Sequence, residues 1–152
     1  MVLPPYRHVP GETPHPRRDP HGHAHGAPEP RSAPWDPAAW RTLDLWLQAV
    51  DLFNLDYWWE CHEALEALWR AADRDAPAAR FVQGLVLVAA ACLNRLRGKS
   101  GAARQAERGL RRMESAGADP FMGLDVADFA RAVRADFSGQ GPPARIRLEP
   151  GA

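Results

Sequence analysis

Cysteine is scarce in this chain: Cys61 and Cys92 are the two among 152 residues. Both fall on apolar positions of expected helices, with no second cysteine at the short spacing of a metal site, so they read as buried thiols in a reducing compartment. A net charge is missing too, since 19 Lys and Arg balance 19 Asp and Glu. That balance argues against whole-chain attraction to nucleic acid or to an anionic membrane, and leaves only local patches to consider. No apolar run reaches the roughly 18 residues of a membrane span. The opening MVLPPYRHVPGETP has no apolar core of signal-peptide length, so a cytoplasmic protein without a membrane partner is expected. Internal repeats and strand alternation are absent as well, and the length suits one domain with a real core.

What the chain does contain is, first, proline and histidine near its start. Residues 1–34 hold nine prolines and three glycines and show almost no apolar periodicity, which predicts a disordered tail. His21, His23 and His25 form HGHAH within it and, with His15, offer imidazoles to a transition metal; low complexity explains the tract more simply.

Five helices are expected from there on, over residues 35–139, with a loosely held end over 140–152. Asp36-Pro37 marks the start of the first helix, whose apolar stripe is Trp40, Leu43, Leu47 and Val50. Asp56 is expected to cap the second helix, with Glu60 in its first turn complementing the helix dipole. Pro77 opens the third, in which Phe81 to Leu93 carries a single polar residue, Gln83, so this helix should be surrounded by the others or by a second copy of the chain. Gly84 and Ala89-Ala90-Ala91 permit close backbone approach. The fourth helix combines the stripe Ala103, Ala106, Leu110, Met113 with Arg104, Arg108, Arg111 and Arg112, the best local case for an anionic partner. Asp125 should cap the fifth. The fold class is therefore all-α: a single five-helix bundle around a buried third helix.

The chemistry concentrates in FNLDYWWECHEALEALWR, residues 53–70. His62 and Glu66 lie four apart, Glu63 and Glu66 three apart, so each pair projects from adjacent turns of one helix. An imidazole with two carboxylates suits Zn, Mn, Fe or Ni, and equally suits acid–base chemistry. It also suits a plain solvated face with a Glu66–Arg70 pair. Trp59 and Trp69 either wall a pocket there or belong to the core boundary. Gln83, a polar residue in an apolar helix, either bonds this flank, bonds a nearby backbone group or sits near the helix start with its amide in water.

These residues carry a resemblance. Trp59, Glu60, His62, Glu63, Glu66 and Trp69 meet an aromatic-Glu-x-His-Glu-x-x-Glu-x-x-Trp pattern, and with Gln83-Gly84 and FMGLD they resemble the small all-α prokaryotic family called domain of unknown function 309, over roughly residues 40–137. The resemblance implies a compact helical protein under the label predicted metal-dependent hydrolase, without an established substrate. The label itself implies little chemistry; the leading reading of the residues is a pocket in which His62 and Glu66 hold a divalent metal, Glu63 accepts a proton from metal-bound water, and Trp59, Trp69, Gln83 and Asn94 line the substrate. Relatives often carry a histidine where Leu93-Asn94 stands here, so a metal site completed by that histidine is weakened in this chain, with Asn94 a poor oxygen-donor substitute. The alternative is a non-enzymatic helical interaction or dimerisation module, binding an anionic partner through the fourth helix.

Overall fold

The computed structural model describes residues 1–150. They form an all-α protein: a 3-10 turn at Pro37–Thr42, then α1 (Asp44–Asn54), α2 (Trp58–Ala71), α3 (Pro77–Leu96), α4 (Ala102–Glu114) and α5 (Val126–Phe137). Isolated bridges join Leu124 to Phe121 and to Leu148, and no strand occurs among the described residues.

The first expected helix is split. Asp36 does accept from the Ala38 N–H at 2.9 Å, and Pro37 opens the turn. Leu43 then leaves helical geometry (φ −88°, ψ 89°) before α1 begins. The break lets Trp40 turn inward over Gly123, where an added Cβ would lie 2.5 Å from the indole. Asp56 is not the cap of α2. It sits at φ +66°, α2 starts two residues later without a side-chain cap, and the Asp56 carboxylate accepts instead from Arg145 at 3.0 Å. Pro77 and Asp125 behave as expected, Asp125 accepting from the Asp128 N–H at 2.9 Å.

α3 lies between α2 and α4. By length and composition alone it is apolar enough to cross a membrane once its ends are counted. In this fold its span is the core: Phe81, Val82, Leu85, Val88, Ala89 and Ala91 are buried. No residue from 81 to 93 is exposed; Gln83, Val86, Leu87 and Ala90 are half-covered, so no second copy is needed to account for the burial. α3 and α4 cross at two glycines. A Cβ on Gly84 would come 2.5 Å from the Gly109 carbonyl oxygen, and one on Gly109 would come 2.6 Å from that of Gly84. Here absence of a side chain is the packing requirement. Cys61 and Cys92 are free and buried, their thiol pKa values raised chiefly by burial, which removes them as nucleophiles.

Among the described residues, both terminal segments pack on the helices. In the C-terminal segment Ile146 is buried, and Asn54 grips it like a neighbouring strand, Nδ2 donating to the Ile146 carbonyl at 2.8 Å and Oδ1 accepting its N–H at 2.7 Å. The N-terminal segment, expected to be disordered, packs along α2. His8 and Val9 are buried, Tyr57 donates to the Pro4 carbonyl, and Trp35 Nε1 donates to the Leu68 carbonyl at 2.9 Å. Apolar periodicity was the wrong criterion for it. Prolines restrict the unfolded chain, so ordering such a segment costs less entropy than its length implies. Side chains of α2 then supply the hydrogen bonds that a helix or sheet would have made.

Candidate functional site

On α2 the structure brings some of the sequence-derived site residues together and separates others. His62 Nε2 lies 3.3 Å from Glu66 Oε1, both side chains about a third exposed (30% and 33%). Glu66 also accepts from Arg70 at 3.1 Å. Glu63 does not join them: Arg17 of the N-terminal segment grips it with two guanidinium nitrogens, at 3.2 and 2.7 Å. This pair raises the Arg17 pKa, chiefly through its hydrogen bond to Glu63. Gln83 turns to α4, where its Oε1 accepts from Arg112 at 2.9 Å, and Asn94 donates to Gln105 at 2.8 Å. Trp69 packs at the core boundary. A shared concavity of His62, Glu63, Glu66 and Gln83 is thus not formed. Helical phase explains it, since the polar stripe of α3 faces α4 and the segment before α1 covers α2.

What the structure builds lies on the adjoining stripe of α2, around Glu60 and Trp59. Glu60 is 7% exposed, and a buried carboxylate must be satisfied by donors or bear a large desolvation cost. Its donors come from the N-terminal segment. The His8 backbone N–H reaches both oxygens, at 3.4 and 3.1 Å, and His23 Nε2 lies 2.9 Å from Oε2 with both side chains almost covered. Facing a carboxylate, His23 Nε2 is the donor, so in the neutral imidazole the lone pair lies on Nδ1. His15 is fixed in the opposite sense, because its Nδ1 accepts from the N–H groups of Arg17 and Arg18, both at 3.2 Å. Its proton therefore sits on Nε2.

Trp59 is the platform under this cluster. The His8 and His15 rings meet it edge-on at 5.0 and 5.6 Å and lie 5.4 Å from each other, while His23 packs on Tyr6 at 4.7 Å. Burial, followed by the neighbouring His15 and His23, holds the His8 pKa below its usual 6.5, against an opposing pull from Glu63. Tyr6 and His8 also wall a cleft of about 580 Å³ between the N-terminal segment and the start of α2, with Arg7, Glu12, Tyr57 and Trp58 around it. Sequence reasoning missed His8, Arg17 and the role of Glu60. The available signal was a His- and Arg-rich segment in the same chain as a helix face with Glu60 and Glu63 one turn apart.

A divalent metal does not fit these residues as they stand. His62 and Glu66 offer one nitrogen and one oxygen on an open surface, Glu63 already holds a guanidinium, and His15 Nδ1 is occupied by two amides. Among the described residues no group of three or more His, Cys, Asp or Glu side chains is placed to hold a metal ion.

Residues 46–106 match the model of the family described as Domain of unknown function (DUF309). This segment is similar to that family. The DUF309 match spans α1 from Trp46, all of α2 and α3 and the opening of α4, and so includes Trp59, Glu60 and Glu63. His8, His15, Arg17 and His23 lie outside it, which makes the covered acidic face a junction between the matched helices and the segment that precedes them. Comparison with curated proteins and with solved structures returns no match.

Proposed function

We propose that the protein is a small hydrolase that works by acid–base chemistry at the junction of the N-terminal segment and α2. His23 is the general base. Its Nδ1 takes the proton of an attacking water as the water oxygen bonds to the substrate's electrophilic centre, Glu60 stabilises the imidazolium that results, and as the bond from that centre to the leaving group breaks the imidazolium returns the proton to the departing oxygen. His15, with its proton on Nε2, donates to the oxygen on which negative charge grows. Trp59 and Tyr6 pack against the imidazoles, and the cleft walled by Tyr6 and His8, which adjoins the cluster through Tyr6 and His8 and is lined by none of His15, His23 and Glu60, receives the substrate.

The observation that carries this reading is the buried Glu60–His23 contact of 2.9 Å in one cluster with an imidazole of the opposite tautomer. A carboxylate holding one imidazole nitrogen while the other keeps its lone pair is the arrangement general-base catalysis requires. His62, by contrast, rests on a surface carboxylate beside Arg70.

The test is hydrolysis of a panel of p-nitrophenyl esters and phosphates by the full-length protein and by His23→Ala and His62→Ala. Loss of about 10²-fold or more in rate is expected for His23→Ala, with His62→Ala unchanged. Loss confined to His62→Ala would overturn the assignment and return the site to the His62–Glu66 face. Release of nitrophenol by none of the proteins would count against a hydrolase.

A further inference from the structure

The arginines of α4 divide into two sets, and only one is neutralised. Arg111 pairs with Glu107 at 3.3 Å, and Arg134 of α5 bridges Glu107 and Glu114 at 3.0 and 2.8 Å. That flank is electrically closed. Arg104, Arg108 and Arg112 stand four residues apart on the next stripe, as one line along the helix. None of the three has a carboxylate within salt-bridge distance among the described residues. Like charges at this spacing repel, so the line is maintained without a local electrostatic partner.

Two of these arginines border a shallow, open cleft. The tight Gly84–Gly109 crossing draws α3 and α4 together, and beside it Gln83, Leu87, Arg108, Arg111, Arg112 and Ser115 line a solvent-open cleft of about 480 Å³. Gln83 Oε1 accepts from Arg112 Nε at 2.9 Å, which holds the guanidinium plane while leaving its two terminal nitrogens free. The half-buried Leu87 contributes an apolar wall. A cleft of this size lies within the range of small-molecule sites, and planar guanidinium forks suit a tetrahedral oxyanion better than a point charge.

We propose that the α3–α4 cleft is a binding site for a small phosphate-bearing molecule, held by Arg108 and Arg112 with Gln83 as the positioning residue for Arg112. A nucleic-acid backbone is the less favoured occupant: it would engage the whole Arg104–Arg108–Arg112 line, and no exposed aromatic is interleaved with the arginines to stack on bases. The site shares no residue with the His23–Glu60 cluster, so either proposal can fail alone.

Inorganic pyrophosphate is the probe, titrated calorimetrically into the full-length protein at low salt. Saturable binding is expected, weakened about tenfold or more in Arg108→Ala and Arg112→Ala and several-fold in Gln83→Ala, with Arg104→Ala and His23→Ala close to wild type. The arginines are exposed, so circular dichroism should show these variants folded. No saturable heat, or equal losses at Arg104 and Arg108, would overturn the proposal. Tight binding of a single-stranded oligonucleotide in place of pyrophosphate would overturn it in favour of a polymer surface.

Discussion

Gly84→Ala puts the packing account to a numerical test. An ideal Cβ at residue 84 falls 2.5 Å from the Gly109 carbonyl oxygen and 2.6 Å from both the Met113 backbone nitrogen and Met113 Cγ. Two of these three atoms belong to the α4 backbone, so rotating a side chain cannot relieve the clash. α4 must move outward by about 1 Å to restore ordinary contact distances near 3.5 Å. That shift loosens Val88, Ala106, Leu110 and Met113, all buried, along the crossing. Overpacking of this kind costs about 1–3 kcal/mol. Alanine's better helix propensity returns about 1 kcal/mol at most. Because two of the clashing atoms are backbone, the cost lies in the upper part of that range, about 2–3 kcal/mol, and the net loss is about 1–2 kcal/mol, equivalent to a melting temperature lower by roughly 2–8 °C for a chain of this size. Gly109→Ala should behave alike, and the double variant should cost less than the sum, because the first methyl already separates the helices. Urea denaturation of the four proteins measures all of this. Unchanged or raised stability in Gly84→Ala would refute the claim that the backbones meet there.

Other outcomes follow from the same contacts. Asn54→Ala removes both hydrogen bonds to the buried Ile146 backbone and should lower stability by about 1–3 kcal/mol in urea, whereas a free C-terminal segment would show no change. His8 has a folded pKa below its unfolded value, so its contribution to docking is present above about pH 6.5 and is lost as pH falls through that value toward the lower folded one. Protease cleavage within residues 1–34 should accordingly accelerate between pH 7 and pH 5, and His8→Gln should flatten that dependence; a flat wild-type profile would contradict it. Zn²⁺ titrations of wild-type and His62→Ala protein should superimpose, since His62 and Glu66 supply too few donors for a site, and loss of a binding step in the variant would show otherwise.

Much of the helical architecture was legible because it depends on local signals: Pro77, Asp125, and the apolar stripes of α2, α3 and α5. Two caps misled. Asp36 starts only a 3-10 turn because Trp40 must reach Gly123, and Asp56 adopts a positive φ and serves Arg145, 89 residues away. Neither partner is visible within a helical window. The site was half legible. Its carboxylates lie in the stretch that drew attention, but the imidazoles that meet Glu60 arrive from a segment whose composition argued for disorder. Long-range pairing of a carboxylate with a backbone N–H, as between Glu60 and His8, leaves no periodic trace. Gln83 was expected to meet the flank of α2, a nearby backbone group or water; its partner is instead an arginine of α4, because the phase of α3 turns that stripe away from α2.

The account rests on the N-terminal segment being bound to Glu60, and amide hydrogen exchange at His8 measures this most directly. The His8 N–H, buried and donated to the Glu60 carboxylate, should exchange far more slowly than the amide of the exposed Glu29. Glu60→Ala should bring it close to the rate of an unstructured peptide while α3 amides stay protected. A His8 amide that exchanges freely in the wild-type protein would contradict the docking, and with it the His23–Glu60 site.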